Sequence, residues 1–127
     1  MEVRKDLLYT KEHEWLKIDG NKGTVGITEY AVHTLGDITF AELCPVGKSI
    51  AQFERLGTVE SVKAASDIFS PASGKITAVN EAVAGAPETI NNSPYDDGWL
   101  VTIEIEKPGE KSNLMTPEQY EEYIKGL

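Results

Sequence analysis

Cysteine is nearly absent: Cys44 stands alone among 127 residues, which excludes an internal disulfide and fits a reducing compartment. Histidine is scarce too. His13, His33 and Cys44 lie far apart, without the short spacings of zinc ligands, so no metal centre is expected. Cations are the minority charge, with twelve Lys and Arg against twenty-one Asp and Glu and a formal net charge of −9. Nucleic acid and anionic membrane surfaces both call for concentrated positive charge, so neither is an expected partner. No apolar run approaches the roughly 20 residues that span a bilayer. The opening Met1-Glu2-Val3-Arg4-Lys5-Asp6 has no apolar h-region and is not an Arg- and Ser-rich transit peptide. The expected location is the cytoplasm, or the mitochondrial matrix for a mature chain whose presequence has been removed.

Catalytic signatures are also missing. There is no Gly-x-Ser-x-Gly elbow, no Walker loop and no Gly-x-Gly-x-x-Gly turn. Acid pairs such as Glu12/Glu14 and Asp96/Asp97 occur, but acids this abundant pair by chance, and a solvated face explains them. The chain does not read as an independent enzyme.

What is present is a series of short strands punctuated by glycine. Trp15-Leu16-Lys17-Ile18 runs into Asp19-Gly20-Asn21 and then Gly23 to Thr28, a hairpin signal. Thr28 is placed to cap a short helix over 29–35, which Gly36 stops. Ile38 to Leu43, Phe53 to Val62, Ala64 to Ser70, Lys75 to Asn80 and Trp99 to Ile105 read as further strands. Residues 81–97, rich in Pro, Gly, Ala and Asn, read as loop with at most a helical turn. Thr116-Pro117-Glu118-Gln119 is a capping-box start for a C-terminal helix over about 117–125, with Tyr120, Tyr123 and Ile124 as its apolar stripe. Several short strands at regular spacing predict a mainly β protein, a sandwich or flattened barrel.

Lys63 is the residue of interest. It lies between two extended runs, beside the small Val62 and Ala64, with Glu60 three before it and Asp67 four after. If the runs pair, its amine stands at a hairpin tip, open to an acylating enzyme. On this pattern alone a solvated surface lysine is the commoner explanation.

The wider sequence reverses that weighting. It contains Tyr9-Thr10-Lys11-Glu12-His13-Glu14-Trp15, Gly26-Ile27-Thr28-Glu29-Tyr30-Ala31 and Leu35-Gly36-Asp37-Ile38. Val59-Glu60-Ser61-Val62-Lys63-Ala64-Ala65-Ser66-Asp67 forms the centre. Ser70-Pro71-Ala72-Ser73-Gly74, Ile90-Asn91, Ser93-Pro94-Tyr95 and Gly98-Trp99-Leu100 follow. From about Tyr9 to Ile105 the chain resembles the H proteins of the glycine cleavage system. The resemblance implies a lipoyl/biotinyl-type flattened barrel of two antiparallel sheets, with a short internal helix and a C-terminal helix. It implies a single lipoyl-carrier domain over residues 1–127, with a core of about 9–105.

By the same resemblance, Lys63 carries lipoate through an amide and Glu60 guides the lipoylating enzyme, a lipoate ligase or a lipoyl/octanoyl transferase. Glu12 and Glu14 are the candidates for holding the loaded arm's amine, with Asp67 near the arm's base. Their ordinary alternative is an exposed strand face. The partners implied are a pyridoxal-phosphate glycine decarboxylase, a folate-dependent aminomethyltransferase and dihydrolipoyl dehydrogenase. The chain departs from the family pattern at Cys44 and at His33, where family members often carry histidine one position later. Lipoyl carriers of this fold also work in lipoate relay and sulfur-compound oxidation, and that alternative stays open here. A biotin carrier is disfavoured, because biotinylated lysines sit between methionines whereas Lys63 sits between Val62 and Ala64.

Overall fold

A computed structural model describes residues Met1–Leu127. Nine strands and four α-helices follow the order β1 (Leu8–Tyr9), β2 (Glu14–Asp19), β3 (Lys22–Ile27), α1 (Glu29–Leu35), β4 (Ile38–Leu43), β5 (Ser49–Ile50), β6 (Arg55–Ser61), β7 (Ala65–Phe69), β8 (Gly74–Val79), α2 (Glu81–Gly85), α3 (Glu88–Asn92), β9 (Val101–Ile105) and α4 (Pro117–Lys125). A 3₁₀ segment, Pro108–Asn113, precedes α4. The strands form a six-stranded sheet, β1-β2-β3-β9-β8-β5, and a three-stranded sheet, β4-β6-β7, with every pairing antiparallel. The two-sheet, mainly β architecture is the one expected.

Alternation explains the interior. Leu16, Val25, Ile27, Leu56, Val59, Ile76 and Ile103 are among the buried residues of an aliphatic cluster to which both sheets contribute. A second, aromatic cluster holds Tyr9, Trp15, Tyr95 and Tyr120, with Leu7. Trp15 lies across Gly26, where a Cβ would stand 2.4 Å from the indole. Its Nε1 donates to the carbonyls of Ile27 and Pro94, at 3.1 Å each. Three of the sequence segments that carry the family resemblance therefore meet at one ring.

The stretch 81–97 is more ordered than its composition predicts. α2 and α3 have five residues each, too short to persist alone. Val83 and Ile90 are fully buried, and each such side chain contributes about 1.5–3 kcal/mol relative to exposure. Gly98 lets the chain close over α3, since a Cβ there would meet the Ser93 carbonyl at 2.6 Å and Ile90 Cα at 2.9 Å.

α1 and α4 form where the capping residues predict. Thr28 Oγ1 accepts from Ala31 N–H at 3.2 Å. Thr116 Oγ1 accepts from Gln119 N–H at 3.2 Å while Gln119 Oε1 accepts from Thr116 N–H at 2.9 Å, completing the capping box. α4 then stacks Tyr120 on Tyr9, ring centroids 4.4 Å apart. Thr116→Ala removes one cap bond and is expected to lower unfolding free energy by about 1 kcal/mol in urea titration.

Candidate functional site

β6 and β7 pair Glu60 with Ala65 and Thr58 with Asp67, so the chain between them turns tightly at Lys63. Ser61 makes the turn. Its N–H donates to the Ala64 carbonyl at 2.7 Å, and its Oγ accepts from the N–H groups of Ala64 at 3.1 Å and Lys63 at 3.4 Å. Val62, Lys63 and Ala64 are all exposed. The motif's small residues thus leave the side chain of Lys63 exposed at the hairpin tip, lying along the Gly36 corner.

The outward face of β7 leads from this tip to a cleft. Ala65, Asp67 and Phe69 fall on one face by the two-residue period of a strand, a run of about 13 Å from first to last. Phe69 lines an open cleft of about 360 Å³ with Phe53, Met115, Thr10, Lys11 and Glu12. Phe53 holds a left-handed backbone, φ +67°, a conformation that costs an L-residue about 1–3 kcal/mol. Its N–H donates to the Ser70 carbonyl at 2.6 Å. The bond fixes this strained corner, and the phenyl ring stays half-exposed over the cleft.

Glu14 lies beneath the cleft, not on the exposed strand face that is its ordinary alternative. Glu14 is fully buried. It shares the inward face of β2 with Leu16, two residues on, and reaches across to the second sheet. Thr10 Oγ1 donates to its Oε1, Phe69 N–H donates to its Oε2 at 3.2 Å, and its own N–H donates to Thr10 Oγ1 at 3.0 Å. Burial pushes the Glu14 carboxyl up from 4.5 to about 7, against the downward pull of the bonds from Thr10 and Phe69. Two cleft-lining residues, Thr10 and Phe69, are the ones that hold this carboxylate.

The other candidates are dispersed. Glu12 is exposed at the cleft rim, in the turn before β2. Asp67 lies between the tip and the cleft, but its carboxylate accepts from Arg55 Nε at 3.3 Å and from Thr58 Oγ1 at 3.1 Å. Glu60 is exposed on β6, one row from the tip. His13 faces the opposite way. It sits among Tyr30, Tyr120 and Tyr123, its Nδ1 is 2.9 Å from the Tyr120 hydroxyl, and burial lowers its pKa. Cys44, on the chain after β4, is partly buried, with its Sγ 3.8 Å from the Arg55 carbonyl.

Phe53, Phe69, Met115 and Thr10 were not singled out from the sequence. Two left a signal: Thr10 stands in the Tyr9–Trp15 segment, and Phe69 is the third member of the Ala65-Asp67-Phe69 alternation. Phe53 and Met115 converge from separate parts of the chain.

Comparison with known proteins gives the arrangement its context. The family model described as "Glycine cleavage H-protein" matches residues 7–127. The chain belongs to the glycine cleavage H-protein family. It is 49% identical over 122 residues to the glycine cleavage system H protein of Carboxydothermus hydrogenoformans, covering 96% of this chain and 94% of that one. It is 49% identical to the mitochondrial glycine cleavage system H protein 2 of Arabidopsis thaliana, covering 95% of this chain and 78% of the relative. The crystal structure of a glycine cleavage system H protein from Mycobacterium marinum superposes with a TM-score of 0.86 at 37% identity, over 98% of this chain and all of that one. No helix is long and apolar enough to cross a membrane.

Proposed function

We propose that this chain is a non-catalytic lipoyl carrier of glycine cleavage, with Lys63 as the acylated residue. In this reading the carrier takes the aminomethyl group of glycine from a pyridoxal-phosphate glycine decarboxylase. It presents that group to a folate-dependent aminomethyltransferase and is reoxidised by dihydrolipoyl dehydrogenase. The observation that carries the reading is the exposed Lys63 at the β6–β7 tip, joined by one strand face to a cleft above a buried carboxylate.

The residues present fit such a group. A lipoyl arm is apolar along most of its length, and Phe53, Phe69 and Met115 offer an apolar surface. When attached, it supplies a disulfide that opens to bind a one-carbon amine and later closes by oxidation. The protein's own part is to bind, orient and shield. Phe53 and Phe69 exclude water from one side of the cleft. Glu14, ionised, is an acceptor for an ammonium group, held in orientation by Thr10 and Phe69 N–H. Glu12 at the rim adds negative charge, and Asp67, tied to Arg55, lines the approach. Tethering keeps the carried group at high local concentration before each partner. Glu60, exposed beside the tip, is the handle by which a lipoate ligase or lipoyl/octanoyl transferase selects this lysine. The cytoplasm is the proposed location.

The test is a two-stage assay with purified full-length protein. After incubation with lipoate, ATP and lipoate ligase, intact-mass spectrometry is expected to register one lipoyl increment. The product is then expected to support glycine–bicarbonate exchange by a glycine decarboxylase from the same source. An acylated protein that fails in exchange would redirect the assignment to a lipoyl carrier of another pathway.

A further inference from the structure

Asn91, on α3, belongs to neither the hairpin nor the cleft, yet its side chain is committed to one short piece of backbone beneath the hairpin. Asn91 Nδ2 donates to the Gly36 carbonyl at 2.8 Å, and Asn91 Oδ1 accepts from Ile38 N–H at 2.9 Å. One donor and one acceptor fix the orientation of the amide. Between these two contacts the Asp37 carbonyl accepts from Val62 N–H at 3.2 Å, and Val62 immediately precedes Lys63. The lysine side chain rests on the same corner. Its Cε lies 3.5 Å and its Nζ 3.9 Å from the point where a Cβ of Gly36 would stand. Gly36 has φ +81°, a conformation that glycine adopts freely and other residues do not.

We propose that Asn91 is a positioning residue for Lys63: it clamps the Gly36–Ile38 corner, whose Asp37 carbonyl holds the hairpin tip in the arrangement that the acylating enzyme recognises. This rests on the reading of Lys63 as the acylated residue. The platform is firm, because Ile90 is fully buried and Gly98 packs closely against α3. The tip is not. Beyond the Ser61–Ala64 turn, the Val62–Asp37 bond is its one backbone tie to another element. Freeing the corner lowers the fraction of molecules with the tip in place, and the apparent affinity for a tip-binding enzyme falls by that fraction. Loss of two hydrogen bonds shifts the tip's equilibrium by on the order of five- to a hundredfold, and the part that empties the in-place state, about five- to tenfold, appears in KM.

The experiment measures lipoate-ligase kinetics on the full chain and amide hydrogen exchange on the same samples. Asn91→Ala is expected to raise KM for the protein substrate about five- to tenfold, with kcat within about twofold. Val62 N–H should exchange faster while Ile103 N–H in β9 keeps its protection. Asn91→Asp keeps the acceptor for Ile38 but sets a carboxylate oxygen against the Gly36 carbonyl where Asn91 donates, and should raise KM at least as far as Asn91→Ala. Unchanged KM and unchanged Val62 exchange would overturn the proposal. So would a loss of Ile103 protection matching that of Val62, which marks a role in general stability. Should Asn91→Ala not fold, the Asn91→Asp kinetics and the wild-type amides decide. Val62 and Ile38 amides are expected to open together, and independent opening overturns the clamp. If wild-type Lys63 takes no lipoyl group, the functional reading fails, whereas the exchange data still judge the clamp.

Discussion

Lys63→Arg is expected to take up no lipoyl group and to support glycine–bicarbonate exchange no better than a reaction without carrier. Arginine keeps the positive charge and much of the length, but its guanidinium is not the amine that a lipoate ligase acylates. The substitution lies at an exposed tip, so unfolding free energy should stay within about 0.5 kcal/mol of wild type. Activity and stability therefore separate, which identifies a chemical rather than a structural role. Acylation also removes one cation, taking the formal charge from −9 to −10. Native electrophoresis should show faster migration of wild type after the ligase reaction and no change for Lys63→Arg. A lipoyl increment that persists in the variant would place the modification elsewhere.

The second large effect concerns Glu14 and pH. Its folded carboxyl titrates near 7 against an ordinary 4.5, because burial disfavours the charged form. Between those values the folded protein holds a proton that the unfolded chain has released. Stability from this group is thus full below about pH 4.5, falls as pH rises to 7, and is flat above. The total is on the order of 3 kcal/mol. Glu14→Gln mimics the neutral acid, with its amide nitrogen donating to Thr10 Oγ1 and its oxygen accepting from Phe69 N–H. The difference between the urea stabilities of the two proteins, taken across pH 4.5–8, should carry this slope, since the other carboxylates cancel. Parallel profiles would mean that Glu14 is ionised throughout.

The strand and turn pattern was legible because its determinants are local. Asp19-Gly20 joins β2 to β3, Thr28 and Gly36 bound α1, and the capping box begins α4. The hairpin at Lys63 was legible for the same reason. α2 and α3 were not, because five-residue helices depend on the burial of Val83 and Ile90, which no local pattern announces. The burial of Glu14 was not legible, because an acid at the start of a strand ordinarily faces water. Only the arrival of the β6–β7 sheet encloses it. The apolar lining of the cleft was not legible, because Phe53, Phe69 and Met115 meet through folding alone, and Phe53 projects over it from a backbone conformation rare for phenylalanine.

The division of the interior into two clusters has an optical consequence. Both tryptophans and four of the five tyrosines, Tyr9, Tyr95, Tyr120 and Tyr123, sit in or against the aromatic cluster, while the aliphatic cluster between the sheets contains no aromatic ring. Tryptophan emission therefore reports on the aromatic cluster, to which α4 contributes Tyr120, and the aliphatic interior is dark. Melting curves followed by fluorescence and by far-ultraviolet dichroism look at different parts of the molecule. They coincide only if the aromatic cluster and the barrel come apart in one step.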